Sequence, residues 1–154
     1  MAFDMMDILP ALPEIFLSGL ALILVLIAAF GGEGQVNSRR VTRLSLVGIA
    51  VAMFLLVQAD PTQTAAFGGM FAADSFSVFM KMLVLMGTFA ALSLSIRRDG
   101  ADDFNKPEYA LLVLLAMIGM MLMISADDLL SLYMAIELQS LPLYVVAAMR
   151  TNSL

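Results

Sequence analysis

The residue best suited to chemistry in this sequence is Glu137, a carboxylate near the centre of the apolar stretch from Asp128 to Arg150. At the helical rise, Glu137 would lie ~3 Å along the axis from the middle of a membrane span formed by this stretch. A charged side chain at that depth costs about 2.5–3.5 kcal/mol on insertion scales. A proton, a cationic partner or water in a cavity must offset this cost, and each of these indicates movement of ions or protons.

Polar side chains accompany this acid along one face of the predicted helix. Residues that are three, four or seven positions apart share a helical face. Hydroxyl groups around a buried acid can hold water or relay protons. The resulting polar stripe consists of Tyr133, Glu137, Ser140 and Tyr144, and Gln139 lies beside it.

A proline follows the acid within about a turn and a half. Pro142 has no N–H to donate to the carbonyl of Leu138, so a backbone acceptor becomes free close to Glu137. That carbonyl can bind water or another helix. We interpret Glu137 as a proton-exchanging site. The alternative interpretation is a buried acid that locks helix packing through an ion pair.

Other charged residues lie near predicted helix starts. Lys81 stands ~9 Å inside the third span, either as an interfacial anchor with its amine turned towards water or as part of an ion path. Asp74, Asp127 and Asp128 are its candidate partners. The last two precede the fifth span, where a carboxylate complements the helix dipole, and a proton-exit role is the second interpretation. Glu14, near the start of the first span, is expected at the membrane interface.

Composition indicates a membrane protein. The chain is 62 % hydrophobic and 14 % charged, against about 45–50 % and roughly 25 % in soluble domains. The net charge of −5 argues against nucleic acid as a partner. Because Cys and His are absent, the usual ligands of haem, iron–sulfur, copper and zinc are missing, and we expect no cofactor and no metal in this chain. The methionines are interpreted as packing and lipid contacts.

Five apolar stretches each hold close to the ~20 residues that a membrane span needs. The sequence therefore predicts an all-α, polytopic membrane protein with a single transmembrane domain. Every Lys and Arg except Lys81 falls on one side of these spans, so the positive-inside rule places the N-terminus outside and the C-terminus in the cytoplasm. Gly48, Gly87 and Gly119 lie mid-span and would allow helices to approach closely. The predicted spans are residues 12–30, 41–59, 75–96, 109–125 and 128–150.

The end of the sequence resembles a known family. Asp128-Leu-Leu, Tyr133 and the block E-L-Q-S-L-P-L-Y from Glu137 to Tyr144 are similar to the helix-four-to-five region of the antiporter-like N subunit of bacterial proton-translocating NADH:quinone oxidoreductase, respiratory complex I. The block D-S-F-S-V-F-M-K, which ends at Lys81, also resembles that family.

The resemblance implies a fold of about fourteen helices with two inverted repeats, of which this chain would be the N-terminal part only. Glu137 matches the family's helix-five acid, whose lysine partner lies in a later helix. Flavin and iron–sulfur clusters are then expected in other subunits, with NADH and quinone as substrates of the complex. Other membrane-arm subunits and lipid are the implied partners, in the bacterial inner membrane. The alternatives are a subunit of a monovalent cation/proton antiporter and a structural helix bundle that serves assembly.

Overall fold

A computed structural model describes residues 9–31, 35–58, 71–97 and 107–151. Within these residues the chain folds into helices, with a single isolated bridge between Phe71 and Ala126 as the β-type pairing. Five of the helices are long and apolar enough to cross a membrane, so the prediction of an all-α, polytopic protein is confirmed. After a 3-10 turn at Leu9–Ala11, the helices are α1 (Leu12–Phe30), α2 (Gln35–Gln58), α3 (Ser75–Arg97), α4 (Pro107–Ser125) and α5 (Leu129–Thr151).

The second helix begins earlier than the sequence predicts, at Gln35 instead of residue 41. Its first two turns are polar, so a search for apolar stretches misses them. Asn37 and Ser38 are nevertheless buried, and Asn37 Nδ2 donates a hydrogen bond to the carbonyl of Ala28 over 3.4 Å. This contact ties the start of α2 to the end of α1. The predicted end of the second span, residue 59, lies outside the described residues.

Reciprocal hydrogen bonds start the third helix. The backbone N–H of Ser77 donates to Asp74 Oδ1 over 2.8 Å, and the N–H of Asp74 donates to Ser77 Oγ over 3.0 Å. This arrangement is a capping box, which satisfies donors that the first turn of a helix leaves free. The hydrogen bond from the Ser77 backbone, followed by the contribution of its side chain, holds the pKa of Asp74 below its usual value.

The fourth helix lies at the centre of the bundle, in contact with the other four. Half of its span is buried, 50 %, whereas only 11 % of the α5 span is buried. The core consists of apolar side chains from the first four helices, and α5 packs mainly against α4. One long face of α5 is therefore left without a neighbour among the described residues.

Candidate functional site

The fifth helix has one face against α4 and one open face. Ala135 and Pro142 are buried on the α4 side. At ~100° per residue, the polar stripe lies on roughly the opposite side of the helix. Tyr133 and Tyr144 are accordingly 59 % and 70 % exposed. The stripe therefore forms part of the open face of α5.

Glu137 lies on this open face, in the middle part of the helix. It is eight positions after Leu129, ~12 Å along a helix ~33 Å long. The side chain is half-buried, and the Ser140 hydroxyl donates to the backbone carbonyl of Glu137 over 3.3 Å, not to its carboxylate. Among the described residues the carboxylate has no ion-pair or hydrogen-bond partner. Any partner for its charge has to come from outside these helices.

Gln139, which the sequence predicts beside the polar stripe, faces α4. The backbone of Gln139 touches Gly119, where an added Cβ would lie 2.6 Å from the Gln139 nitrogen. Gly119 therefore permits the close approach of α4 and α5.

The other mid-span glycines differ from each other. Gly48 also lies at a close contact, because an added Cβ there would meet the side chain of Leu20. A Cβ at Gly87 would meet nothing within 4 Å in the described structure, so the close contact predicted there is not observed.

A second carboxylate is joined to a cation inside the bundle. Lys81 Nζ lies 2.6 Å from Glu14 Oε1, and the two side chains are only 2 % and 3 % exposed. The ammonium group also lies 4.5 Å from the centroid of the Phe71 ring, a cation–π distance. The sequence predicts an interfacial Glu14 and places the partner of Lys81 among Asp74, Asp127 and Asp128. In the structure the ion-pair partner of Lys81 is Glu14, which corrects the second expectation, and Glu14 lies buried against protein near the start of its helix.

The pairing follows from where α1 and α3 begin. Both helices start at the end of the bundle that contains Phe71, which we call the Phe71 end. Glu14 lies ~3 Å along its helix and Lys81 ~9 Å along its own. Because helical side chains lean towards the N-terminus, the lysine stem reaches back to the level of Glu14. The amine points towards the end of the bundle, as an interfacial anchor would, but it meets Glu14 before it reaches water.

Polar atoms around this ion pair are left unsatisfied. Although Glu14 Oε1 is close to the ammonium group, neither Glu14 oxygen makes a hydrogen bond of acceptable geometry in the described structure. The hydroxyl of Ser125 is also buried without a hydrogen-bond partner there. It belongs to the same end, because the N–H of Ala72, next to Phe71, donates to the carbonyl of Ser125 over 2.9 Å.

Two of the three aspartates at this end cap helix starts. Asp128 Oδ2 accepts a hydrogen bond from the backbone N–H of Ser131 over 3.3 Å, which caps α5. Asp127 is exposed, and Asp74 caps α3. An apolar cavity of about 510 Å³ opens nearby, between the end of α4 and the start of α5, with Phe71 in its wall.

The fold defines a multi-pass helical protein that carries ionisable groups, Glu14, Lys81 and Glu137 among them, inside candidate membrane spans. No family model matches the chain. Curated relatives do: the chain is 41 % identical to NADH-quinone oxidoreductase subunit N of Parvibaculum lavamentivorans, over 96 % of this chain and 30 % of that protein. It is 40 % identical to subunit N of Paramagnetospirillum magneticum, over 93 % and 29 %, and 40 % identical to that of Rhodospirillum rubrum, over 100 % and 32 %.

The resemblance seen in the sequence is thereby confirmed. The chain is homologous to part of subunit N of NADH-quinone oxidoreductase. It spans about 30 % of the length of these relatives, which is consistent with an N-terminal part of the subunit.

Proposed function

We propose that this chain is part of a membrane-arm subunit of respiratory complex I and that Glu137 exchanges protons during proton translocation coupled to quinone reduction. The observation that carries the proposal is the position of Glu137, mid-helix on a polar stripe along the open face of α5. An intramembrane acid is costly unless it is paired or hydrated. The similarity to proteins named subunit N supplies the class of complex.

In this proposal the rest of the subunit covers the open face of α5 and brings a lysine close to Glu137. A charged Glu137 then stabilises the protonated form of that lysine, since an opposite charge nearby favours the charged form. Protonation or displacement of the acid removes this stabilisation, and the lysine releases its proton. Tyr133, Ser140 and Tyr144 hold water along the stripe, and the carbonyl of Leu138, freed by Pro142, is a further acceptor.

The remaining parts of the proposal concern orientation and partners. The basic residues place the N-terminus outside the bacterial inner membrane and the C-terminus in the cytoplasm. Protons then enter the path from the cytoplasm and leave outwards. Flavin, iron–sulfur clusters and the binding of NADH belong to other subunits, and this chain carries no electrons.

Glu137→Gln in the full enzyme tests the site. We expect proton pumping and coupled NADH oxidation to fall severalfold while the enzyme still assembles, because the amide keeps the shape of the side chain and cannot exchange a proton. The matched control is Glu108→Gln, an exposed carboxylate in the first turn of α4, which should pump like the wild type. Wild-type pumping and quinone reduction in Glu137→Gln would contradict the proposal. Impaired assembly with normal turnover of the assembled enzyme would favour a structural role.

A further inference from the structure

The ion pair at the Phe71 end is poorly suited to stabilising the fold. Burying two opposite charges is offset only when their geometry is good and additional hydrogen bonds satisfy their remaining atoms. The Glu14 and Lys81 side chains are almost completely buried, yet neither carboxylate oxygen has a hydrogen-bond partner in the described structure. An apolar pair of similar volume would avoid this cost. The stability of the fold therefore does not explain why ionisable groups are present at these positions.

The distance within the pair is short enough for the transfer of a proton. The 2.6 Å between Lys81 Nζ and Glu14 Oε1 lies within the ~2.6–3.2 Å over which a proton can pass between two positioned groups. Transfer breaks an N–H bond of the ammonium group and forms an O–H bond on the carboxylate, so a neutral amine and a neutral carboxylic acid result. No other reactant is needed.

The ammonium and carboxylate groups meet near the Phe71 end, although Lys81 is attached deeper in its helix than Glu14 is in its own. Lys81 is attached ~9 Å inside its helix and Glu14 only ~3 Å inside its own. The lysine stem therefore runs from deeper in the bundle to a contact near its end. The unsatisfied Glu14 Oε2 and the unsatisfied hydroxyl of Ser125 provide polar atoms for water at the same end, and water commonly satisfies buried groups of this kind.

We propose that Lys81 and Glu14 form a second proton-transfer site, separate from Glu137, through which a proton passes from Lys81 to Glu14 and then to water at the Phe71 end. The inference rests on the proposed function, because these protons belong to the same translocation. After the acid releases its proton to water, the amine of Lys81 takes up the next proton from inside the subunit, and the charged pair is restored.

Few other charges act on this pair from the neighbouring helices. Asp74 caps α3, and Asp127 and Asp128 lie at the start of α5 at the same end of the bundle. The α2 helix carries its arginines near its own start, and Glu108 is in the first turn of α4, so both groups lie at the opposite end. Within the described residues, the charge of Lys81 is therefore balanced mainly by Glu14.

The test uses the complete enzyme in sealed vesicles, with the double variant Glu14→Gln/Lys81→Met and, in parallel, Glu137→Gln. Because the double variant removes both charges together, we expect it to assemble like the wild type while the number of protons pumped per NADH falls severalfold. Infrared difference spectra provide a second measurement. We expect the protonated-carboxyl band that appears during turnover to lose a component in Glu14→Gln, and a packing role would not change this band.

Each outcome of these measurements has a defined meaning. A double variant that assembles and pumps at the wild-type ratio would overturn the inference, and so would one that fails to assemble, because the pair would then be a packing device. An unchanged infrared band in Glu14→Gln would also overturn it. If Glu137→Gln pumps normally, the proposed function itself fails. If only the double variant pumps normally, the proposed function stands and the second site is rejected.

Discussion

Glu14 and Glu137 both lie within candidate membrane spans of this protein, and they differ in position along the helix, in burial and in partners. Glu14 lies two positions from the start of α1, is buried and contacts Lys81. Glu137 lies mid-helix in α5, is half-buried and has no ion-pair or hydrogen-bond partner among the described residues. Position along a span is thus a poor guide to burial, because the acid closer to the helix end is the more buried one.

The difference reflects how much of each helix is covered. The first four helices pack together and Glu14 is buried, whereas α5 contacts mainly α4. A charge that is paired within these five helices affects the stability of the bundle. A charge on the open face of α5 affects the interaction with whatever packs against that face. Substitutions at the two sites, and at the contacts that support them, should distinguish these situations.

Removing one member of the buried pair should have the largest effect on stability. Lys81→Met leaves the carboxylate of Glu14 buried without its counter-ion, and breaking a buried pair in this way costs about 3–5 kcal/mol. We expect a clear fall in the thermal unfolding temperature of the purified protein. Adding Glu14→Gln to Lys81→Met should restore most of the loss. Equal losses in the single and double variants would show that packing, not charge, is responsible.

A methyl group at the contact between α4 and α5 should have the next largest effect. In Gly119→Ala the new Cβ would lie 2.6 Å from the backbone nitrogen of Gln139, so α5 must shift, at a cost of about 1–3 kcal/mol for overpacking. We expect proton pumping through Glu137 to fall as well, because α5 carries that acid.

The matched control for this variant is Gly87→Ala, where a Cβ meets nothing within 4 Å in the described structure. It should unfold at the wild-type temperature or slightly above, since alanine favours helix more than glycine does. Equal destabilisation of the two variants would contradict the close contact at Gly119.

The cap of α3 supports the Glu14 site indirectly and should show a smaller, pH-dependent effect. Asp74→Ala removes the acceptor for the Ser77 N–H and should lower the unfolding temperature modestly, whereas Asp74→Asn should keep most of the cap. Because the pKa of Asp74 is lowered below 3.8, the ionised carboxylate contributes its full stabilisation above pH 3.8. The contribution is lost as the pH falls through the folded-state pKa. A wild-type protein whose unfolding temperature differs from that of Asp74→Ala by the same amount at every pH would contradict this assignment.

The smallest effect on stability is expected for Glu137→Gln in the chain described here. With the open face of α5 uncovered, the substitution removes no ion pair or side-chain hydrogen bond, and the free energy of unfolding should change by no more than about 0.5 kcal/mol. In the complete subunit, where we propose a lysine partner, the change should be larger. Equal changes in the two forms would argue against a partner supplied by the rest of the protein.

Much of the fold was accessible from local sequence patterns. The apolar runs predict α1, α3, α4 and α5 within two residues of their observed bounds, because hydrophobicity over one span depends only on residues in that span. The start of α2 was missed, since Asn37 and Ser38 are polar and are buried only through contacts with the end of α1. The polar stripe around Glu137 was also accessible, because it requires only that α5 is helical.

The site at the Phe71 end was not accessible in the same way. Glu14 and Lys81 are both visible in the sequence as charges near helix starts, and that signal could have suggested a pair between helices that begin on the same side. Asp74, Asp127 and Asp128 carried the same signal. Which carboxylate meets Lys81 depends on how α1 and α3 are rotated against each other and against α4.

Hydropathy, helical period and residue order are properties of the chain alone, and they are sufficient to predict the number of spans, the mid-helix position of Glu137 and the similarity to subunit N. Packing of the helices is needed to pair Glu14 with Lys81, to bring Gly119 against Gln139 and to turn Glu137 to the open side of α5. Each of these depends on which faces of distant helices come together, and that is set by packing across the whole bundle.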